Sequence, residues 1–291
     1  MNGIKSSKIT IGDHDFEMDL AGPEDSSLVL FLHGFPQSKY AWRHELPALA
    51  ARGYRAAAPN QRGYSPGARP KDLPAYATKH LVNDVFAFAD ALGADTFHLV
   101  GHDWGGALAW LAAAKRPDRL RSLAVLSRPH PDAFGKALAE TDDQPYRSRH
   151  HKAFLDPETE ALFLADSARQ FRETLASHDC PAKDVDAYLQ TLGTEAALGA
   201  AVNWYRAAGG NLTAKSGDGT GPGLGPITVP TLYIWGDEDN SVGPDAARWT
   251  ADFVTAPYTF CQLDGVGHFI TDQKPGAATE PLLSHLARHD S

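Results

Sequence analysis

Phe97-His98-Leu99-Val100-Gly101-His102-Asp103-Trp104-Gly105-Gly106-Ala107-Leu108 is the stretch on which the fold turns. Its first four residues form an apolar run too short for a helix and without the alternation of a half-exposed strand. Ala107 to Ala114 reads as a helix. Between them, Gly101, Asp103 and Gly105 have the spacing of a nucleophile elbow, with aspartate where serine is commoner. Such a turn strains its central residue, and the neighbours must be small for strand and helix to pass closely. In isolation the same residues also suit a glycine-rich turn carrying an incidental aspartate.

Working outward, similar short apolar runs recur at Leu28–Leu32, Arg55–Ala58, Leu123–Leu126, Thr231–Trp235 and Thr259–Leu263. Continuous runs of this length suit strands buried on both faces. Helical patterns at Leu81–Leu92 and Ala107–Ala114 lie between them, so a mostly parallel sheet covered by helices is expected. A hairpin precedes them, with Ile9-Thr10-Ile11 and Phe16-Glu17-Met18 around a Gly12-Asp13 turn. From Pro131 to Tyr205 the strand signal stops, and Ala133–Leu138, Glu158–Leu175 and Lys183–Leu192 read as helices. The glycine-rich stretch from Ala208 to Pro226 reads as a flexible loop or hinge, and a last helix is expected from Ala277 to Ala287. The expected organisation is an α/β core of residues 1–130 and 227–291, interrupted by a helical cap at 131–226.

Three further loops follow strands. His33-Gly34-Phe35-Pro36 follows the first buried strand, Trp235-Gly236-Asp237-Glu238-Asp239 a later one, and Gly265-Val266-Gly267-His268 the last. The His33 loop alone could be a tight turn, and the acidic cluster a solvated loop. A metal held by Asp237 and Asp239 would lack any accompanying Cys/His spacing, so neither metal nor cofactor is expected. The order decides. Nucleophile, acid and histidine, each after a separate strand, is the chain order of the α/β-hydrolase fold.

The sequence resembles the α/β-hydrolases with an aspartate nucleophile, and among them the soluble epoxide hydrolases. The resemblance runs from the first strands to the last helix. It rests on His33-Gly34-Phe35-Pro36-Gln37-Ser38 with Trp42-Arg43 and Leu46-Pro47, on Gln61-Arg62-Gly63-Tyr64-Ser65, on Gly101–Gly106, and on Asn203-Trp204-Tyr205-Arg206. Haloalkane dehalogenases usually carry Asn where Phe35 stands. The resemblance implies an eight-stranded sheet, an oxyanion hole from the Phe35 and Trp104 amides, and a substrate pocket near His33 and Pro36. It also implies two cap tyrosines over the nucleophile. Tyr188 fits the second by its spacing to Asn203–Arg206, whereas His150 aligns with the first and Tyr146 stands one helical turn earlier.

An aspartate nucleophile points to particular chemistry. It is ionised at pH 7 without help, and attack on an ester would give only a mixed anhydride. Displacement at an sp³ carbon suits it better, leaving an alkyl ester on Asp103. His268, oriented by Asp239, would then activate water to hydrolyse that ester. Tyr188, with His150 or Tyr146, would supply the proton that an epoxide's alkoxide requires. The expected reaction is conversion of a small epoxide to a vicinal diol; the alternative is a haloalkane or haloacid dehalogenase. Arg128, in Arg128-Pro129-His130-Pro131, either biases the pocket toward polar or anionic substrates or is simply a charge at the cap's hinge.

Composition agrees with a globular enzyme. The 291 residues carry 27 Lys and Arg against 36 Asp and Glu, a formal charge of −9, which disfavours nucleic acid and anionic membranes as partners. The expected partner is a small, uncharged molecule. Two cysteines, Cys180 and Cys261, cannot build a disulfide framework, so a reducing cytoplasm is the simplest home. No apolar run is long enough to span a bilayer, and no signal sequence is evident at Met1–Lys8.

Overall fold

The computed structural model describes residues 3–209 and 223–290. Strands β1 (Lys5–Ile11) and β2 (His14–Ala21) form the expected hairpin, in register from Lys5 opposite Leu20 to Ile11 opposite His14. Gly12, at φ +57°, supplies the turn. Then follow β3 (Leu28–Leu32), β4 (Arg55–Pro59), β5 (Phe97–His102), β6 (Leu120–Leu126), β7 (Thr231–Gly236) and β8 (Tyr258–Leu263). The eight strands form one sheet in the order β1-β2-β4-β3-β5-β6-β7-β8, antiparallel only at the β1–β2 and β2–β4 pairs. The fold is that of an α/β hydrolase.

The apolar runs have a simple cause. Leu28, Leu30 and Leu32 of β3 face one hydrophobic cluster, while Val29 and Phe31 face a second on the other side. The same division separates Leu123 and Val125 from Ala124 and Leu126 in β6. Successive side chains point to opposite faces, so a strand covered on both must be apolar throughout.

Helices α1 (Glu45–Ala50), α2 (Thr78–Ala91) and α3 (Trp104–Lys115) cover the sheet. Between β6 and β7 come α4 (Pro131–Glu140), α5 (Asp143–Arg147), α6 (His150–Ala153), α7 (Thr159–Ala176), α8 (Ala182–Leu192) and α9 (Glu195–Ala207). After β7 lie α10 (Pro244–Trp249), α11 (Ile270–Gln273) and α12 (Thr279–Arg288). Most of the glycine-rich stretch from Ala208 to Pro226 lies outside the described residues. The single helix expected over Glu158–Leu175 is interrupted, because Asp166, Ser167 and Ala168 take left-handed φ of 52°, 61° and 62°. Among the described residues, no helix is long and apolar enough to cross a membrane.

Candidate active site

The order in which successive strands are added reverses between the parallel strands β3 and β5, with β4 on one side and β6 on the other. The loops leaving such neighbouring strands diverge and open a crevice at their carboxyl ends. The loop after β3 carries Phe35, and the loop after β5 carries Asp103. Asp103 sits at φ 51°, ψ −117°, the strained centre expected of the elbow. A Cβ on Gly34 would lie 2.5 Å from Asp103 Oδ1, and one on Gly105 would lie 2.1 Å from the Leu32 carbonyl oxygen. Only glycine lets the two loops and the start of α3 come this close.

The loops that carry Phe35, Asp103, Asp239 and His268 converge. The Phe35 amide donates to Asp103 Oδ1 at 2.9 Å. Trp104 opens α3, so its amide belongs to the first turn, where N–H groups have no partner within the helix. His268 Nε2 lies 3.5 Å from Asp103 Oδ2, and its Nδ1 lies 2.9 Å from Asp239 Oδ2. Asp239 is fully buried and also accepts the Ser241 and Val242 amides at 2.8 and 2.9 Å, which fix its carboxylate toward the imidazole.

The charges reinforce one another. Burial alone would neutralise His268, but the Asp239 carboxylate and then Asp103 outweigh it and raise the pKa to about 10. Burial likewise opposes ionised Asp103, yet the hydrogen bond and charge of His268, His102 and the Phe35 amide hold it well below the usual carboxylate range. The two effects are reciprocal: the acidic neighbours favour the protonated imidazole, and the protonated imidazole favours ionised Asp103. Of the residues weighed as metal ligands, Asp239 is committed to His268, and Asp237 accepts the Gly265 amide at 2.7 Å.

Asp103 and His268 open onto a cavity of about 730 Å³ between the sheet's carboxyl edge and helices α5, α6, α7 and α9. Of the residues singled out in the sequence, Phe35, Pro36, Tyr146 and His150 also line it. Tyr146 is 66% exposed, with the Arg149 guanidinium 3.9 Å over its ring, so it stands at the rim.

Tyr188 is a correction. It does not line the cavity. Its hydroxyl donates to Asp272 at 2.8 Å, within a buried group where Arg43 pairs with Asp184 at 2.9 Å and Asp272 at 2.8 Å. A charged acceptor inside the protein is a better partner for a phenol than an open cavity, and it holds the Tyr188 hydroxyl outside the cavity lining. His33 is a second correction: it is fully buried, with Nδ1 on the Gly34 carbonyl at 3.0 Å and Nε2 accepting the Gln61 amide. It braces the loop beneath the cavity rather than lining it.

His150 lines the cavity but cannot donate as expected. Its Nδ1 lies 2.9 Å from the Arg147 carbonyl oxygen, which can only accept, so Nδ1 carries the hydrogen. Burial lowers the pKa of the ring and keeps it neutral. Arg128 is not among the cavity-lining residues; its guanidinium lies 4.2 Å over the Phe134 ring of α4.

The phenol that does reach the cavity is Tyr205 of α9, which the sequence reading passed over. Its ring packs edge-on against Trp104 at 5.0 Å and Phe35 at 5.4 Å, the two residues whose amides flank Asp103. Burial, and then the charge of Asp103, hold the phenol well above its usual pKa and therefore protonated. The signal was present in Asn203-Trp204-Tyr205-Arg206, where Tyr205 lies inside the resembling motif and Tyr188 outside it.

Residues 27–275 match the family model described as alpha/beta hydrolase fold. The chain is 31% identical to Epoxide hydrolase A of Mycobacterium tuberculosis, covering 91% of this chain and 92% of that protein. It is 30% identical to YfhM, an AB hydrolase superfamily protein of Bacillus subtilis, over 98% of this chain and 99% of that one. A solved structure from work on novel epoxide hydrolases in metagenomes from hot environments superposes with a TM-score of 0.84 at 29% identity, covering 98% of this chain and 99% of the other. The chain thus belongs to the alpha/beta hydrolase fold family, on its epoxide hydrolase branch, and is a hydrolytic enzyme.

Proposed function

We propose that the protein hydrolyses small epoxides to vicinal diols through a covalent ester on Asp103. The observation that carries this reading is Tyr205, a protonated phenol in the same cavity as a carboxylate paired with His268. Asp103 attacks an oxirane carbon, an ester C–O bond forms, and the ring C–O bond breaks. The departing alkoxide takes the phenolic proton of Tyr205. Esterification removes the Asp103 charge that helps hold the proton on His268, and that proton returns to the tyrosinate. Neutral His268 then takes a proton from water as its oxygen attacks the Asp103 carbonyl carbon. The Phe35 and Trp104 amides hold the oxyanion, a type of contact worth about 3–4 kcal/mol per donor in comparable sites. Collapse expels the second alkoxide, which takes the proton of the regenerated Asp103 carboxyl. The cycle consumes one epoxide and one water.

In this reading, residues 131–226 form a cap over a core of 1–130 and 227–291. A cytoplasmic location suits the two free thiols. A halide leaving group would want paired indole donors, and among the described residues no tryptophan lines the cavity.

Incubation with styrene oxide and with 1,2-dibromoethane should give diol from the first and little halide from the second. A single turnover in ¹⁸O-water should label the Asp103 carboxylate; turnover with Asp103 unlabelled excludes the ester. His268→Gln should accumulate the alkyl-enzyme. Tyr205→Phe should lower the rate of ester formation by about 10²–10⁴-fold, the range for loss of a general acid.

A further inference from the structure

We propose that His150 is a hydrogen-bond acceptor in the cavity and selects epoxides that bear a neutral hydroxyl beside the oxirane ring. The inference rests on the epoxide reading and adds the class of substrate. The Arg147 carbonyl, 2.9 Å from Nδ1, places the ring's single hydrogen on that nitrogen, so Nε2 keeps its lone pair. Among the described residues Nε2 has no hydrogen-bond partner, and the ring lines the cavity that holds Asp103. His151 at 4.2 Å and Phe154 at 6.1 Å, both edge-on, limit the ring's freedom to turn away.

Next to His150 the lining carries aromatic rings. Phe154 packs at 5.0 Å from Phe35 and 4.6 Å from Tyr205. A hydrocarbon epoxide that displaced water from here would satisfy these rings and leave Nε2 without a donor. A site built to pair with a substrate hydroxyl discriminates strongly against the analogue that lacks it. The donor's charge is also constrained. Arg147 and Arg149 precede His150 by three residues and by one and line the same cavity. Asp143 also lines it but is paired with Arg147 at 2.7 Å. An ammonium group would meet the Arg149 charge, whereas a hydroxyl offers Nε2 its hydrogen without that repulsion.

Glycidol and 1,2-epoxypropane differ by one hydroxyl and are the probes. The ratio of their kcat/KM values should favour glycidol in the native enzyme and should fall about tenfold in His150→Phe. An unchanged ratio, including equal losses on both substrates as for a missing proton donor, would overturn the proposal. The tautomer gives a readout independent of turnover. In ¹⁵N-histidine-labelled protein, the signals lost in His150→Phe identify this ring, and they should report a hydrogen on Nδ1. A hydrogen on Nε2 overturns the acceptor role whatever the kinetics. If neither epoxide is hydrolysed, the proposed reaction fails and the selectivity with it, while the tautomer still decides whether His150 accepts.

Discussion

Two carboxylates, one facing the cavity and one buried, show how neighbours decide the state of a residue. Asp103 is held ionised because His268 and the Phe35 amide outweigh the cost of burial. Glu45, at the start of α1, is fully buried, and neither side-chain oxygen has a hydrogen-bond partner among the described residues. Burial pushes its pKa up to about 7 from the ordinary 4.5, only partly opposed by its own backbone N–H and by Arg43. The folded protein therefore binds this proton more tightly than the unfolded chain. Stability from this group is full below pH 4.5 and declines as pH rises to about 7, then stays level. Glu45→Gln keeps the shape and removes the titration. Against the native protein it should gain about 3 kcal/mol at pH 8 and little at pH 4, read from urea midpoints at both pH values. An equal change at both would refute the assignment. Nothing in Glu45-Leu46-Pro47 marks this carboxyl as buried, since the elements that cover it come from elsewhere in the chain.

At the scale of elements, the sequence is legible where one period governs a whole segment. The runs at Leu28–Leu32 and Leu123–Leu126 are apolar because alternate residues serve the two clusters, and both became strands. The pattern over Glu158–Leu175 carries no comparable mark of its interruption. Asp166, Ser167 and Ala168 take left-handed backbone in a stretch whose composition suits an unbroken helix. Each non-glycine residue there costs about 1–2 kcal/mol relative to the right-handed form. Ser167 is exposed and its hydroxyl makes no hydrogen bond among the described residues, so it can be replaced without loss of packing. Ser167→Gly should raise stability by about 0.5–1 kcal/mol, the strain relieved less the extra entropy of glycine in the unfolded chain. In a regular right-handed helix the same change would lower stability by a similar amount, so the sign of the shift in denaturant midpoint tests the break.

Across the whole molecule, the site was readable to the extent that its residues lie in local motifs. Asp103, Asp239, His268 and Phe35 each follow a strand within a few residues, and the structure brings them together. The place of Tyr188 is not legible locally, because its partner Asp272 is 84 residues away and neither residue's surroundings predict their meeting. That contact belongs to a larger joint between the halves of the chain. Arg43 and Asp272, outside the inserted helices, hold Asp184 and Tyr188 of α8. One hydrophobic cluster also runs without a break from Leu30 and Leu99 of the sheet to Phe171, Leu175 and Leu198 of the inserted helices. Helices joined to the sheet by both an apolar cluster and a buried ion pair should not melt by themselves. Cys180, 5% exposed and just before α8, is a probe of the inserted helices once Cys261 is changed to Ser. Its labelling by a thiol reagent should begin at the same urea concentration at which circular dichroism reports loss of the whole fold. Arg43→Met leaves two buried carboxylates without their cation, a loss of about 3–5 kcal/mol, and should lower both midpoints together. Labelling of Cys180 well before the circular dichroism transition would mean that the inserted helices open as a separate unit and that the joint is weaker than its contacts imply.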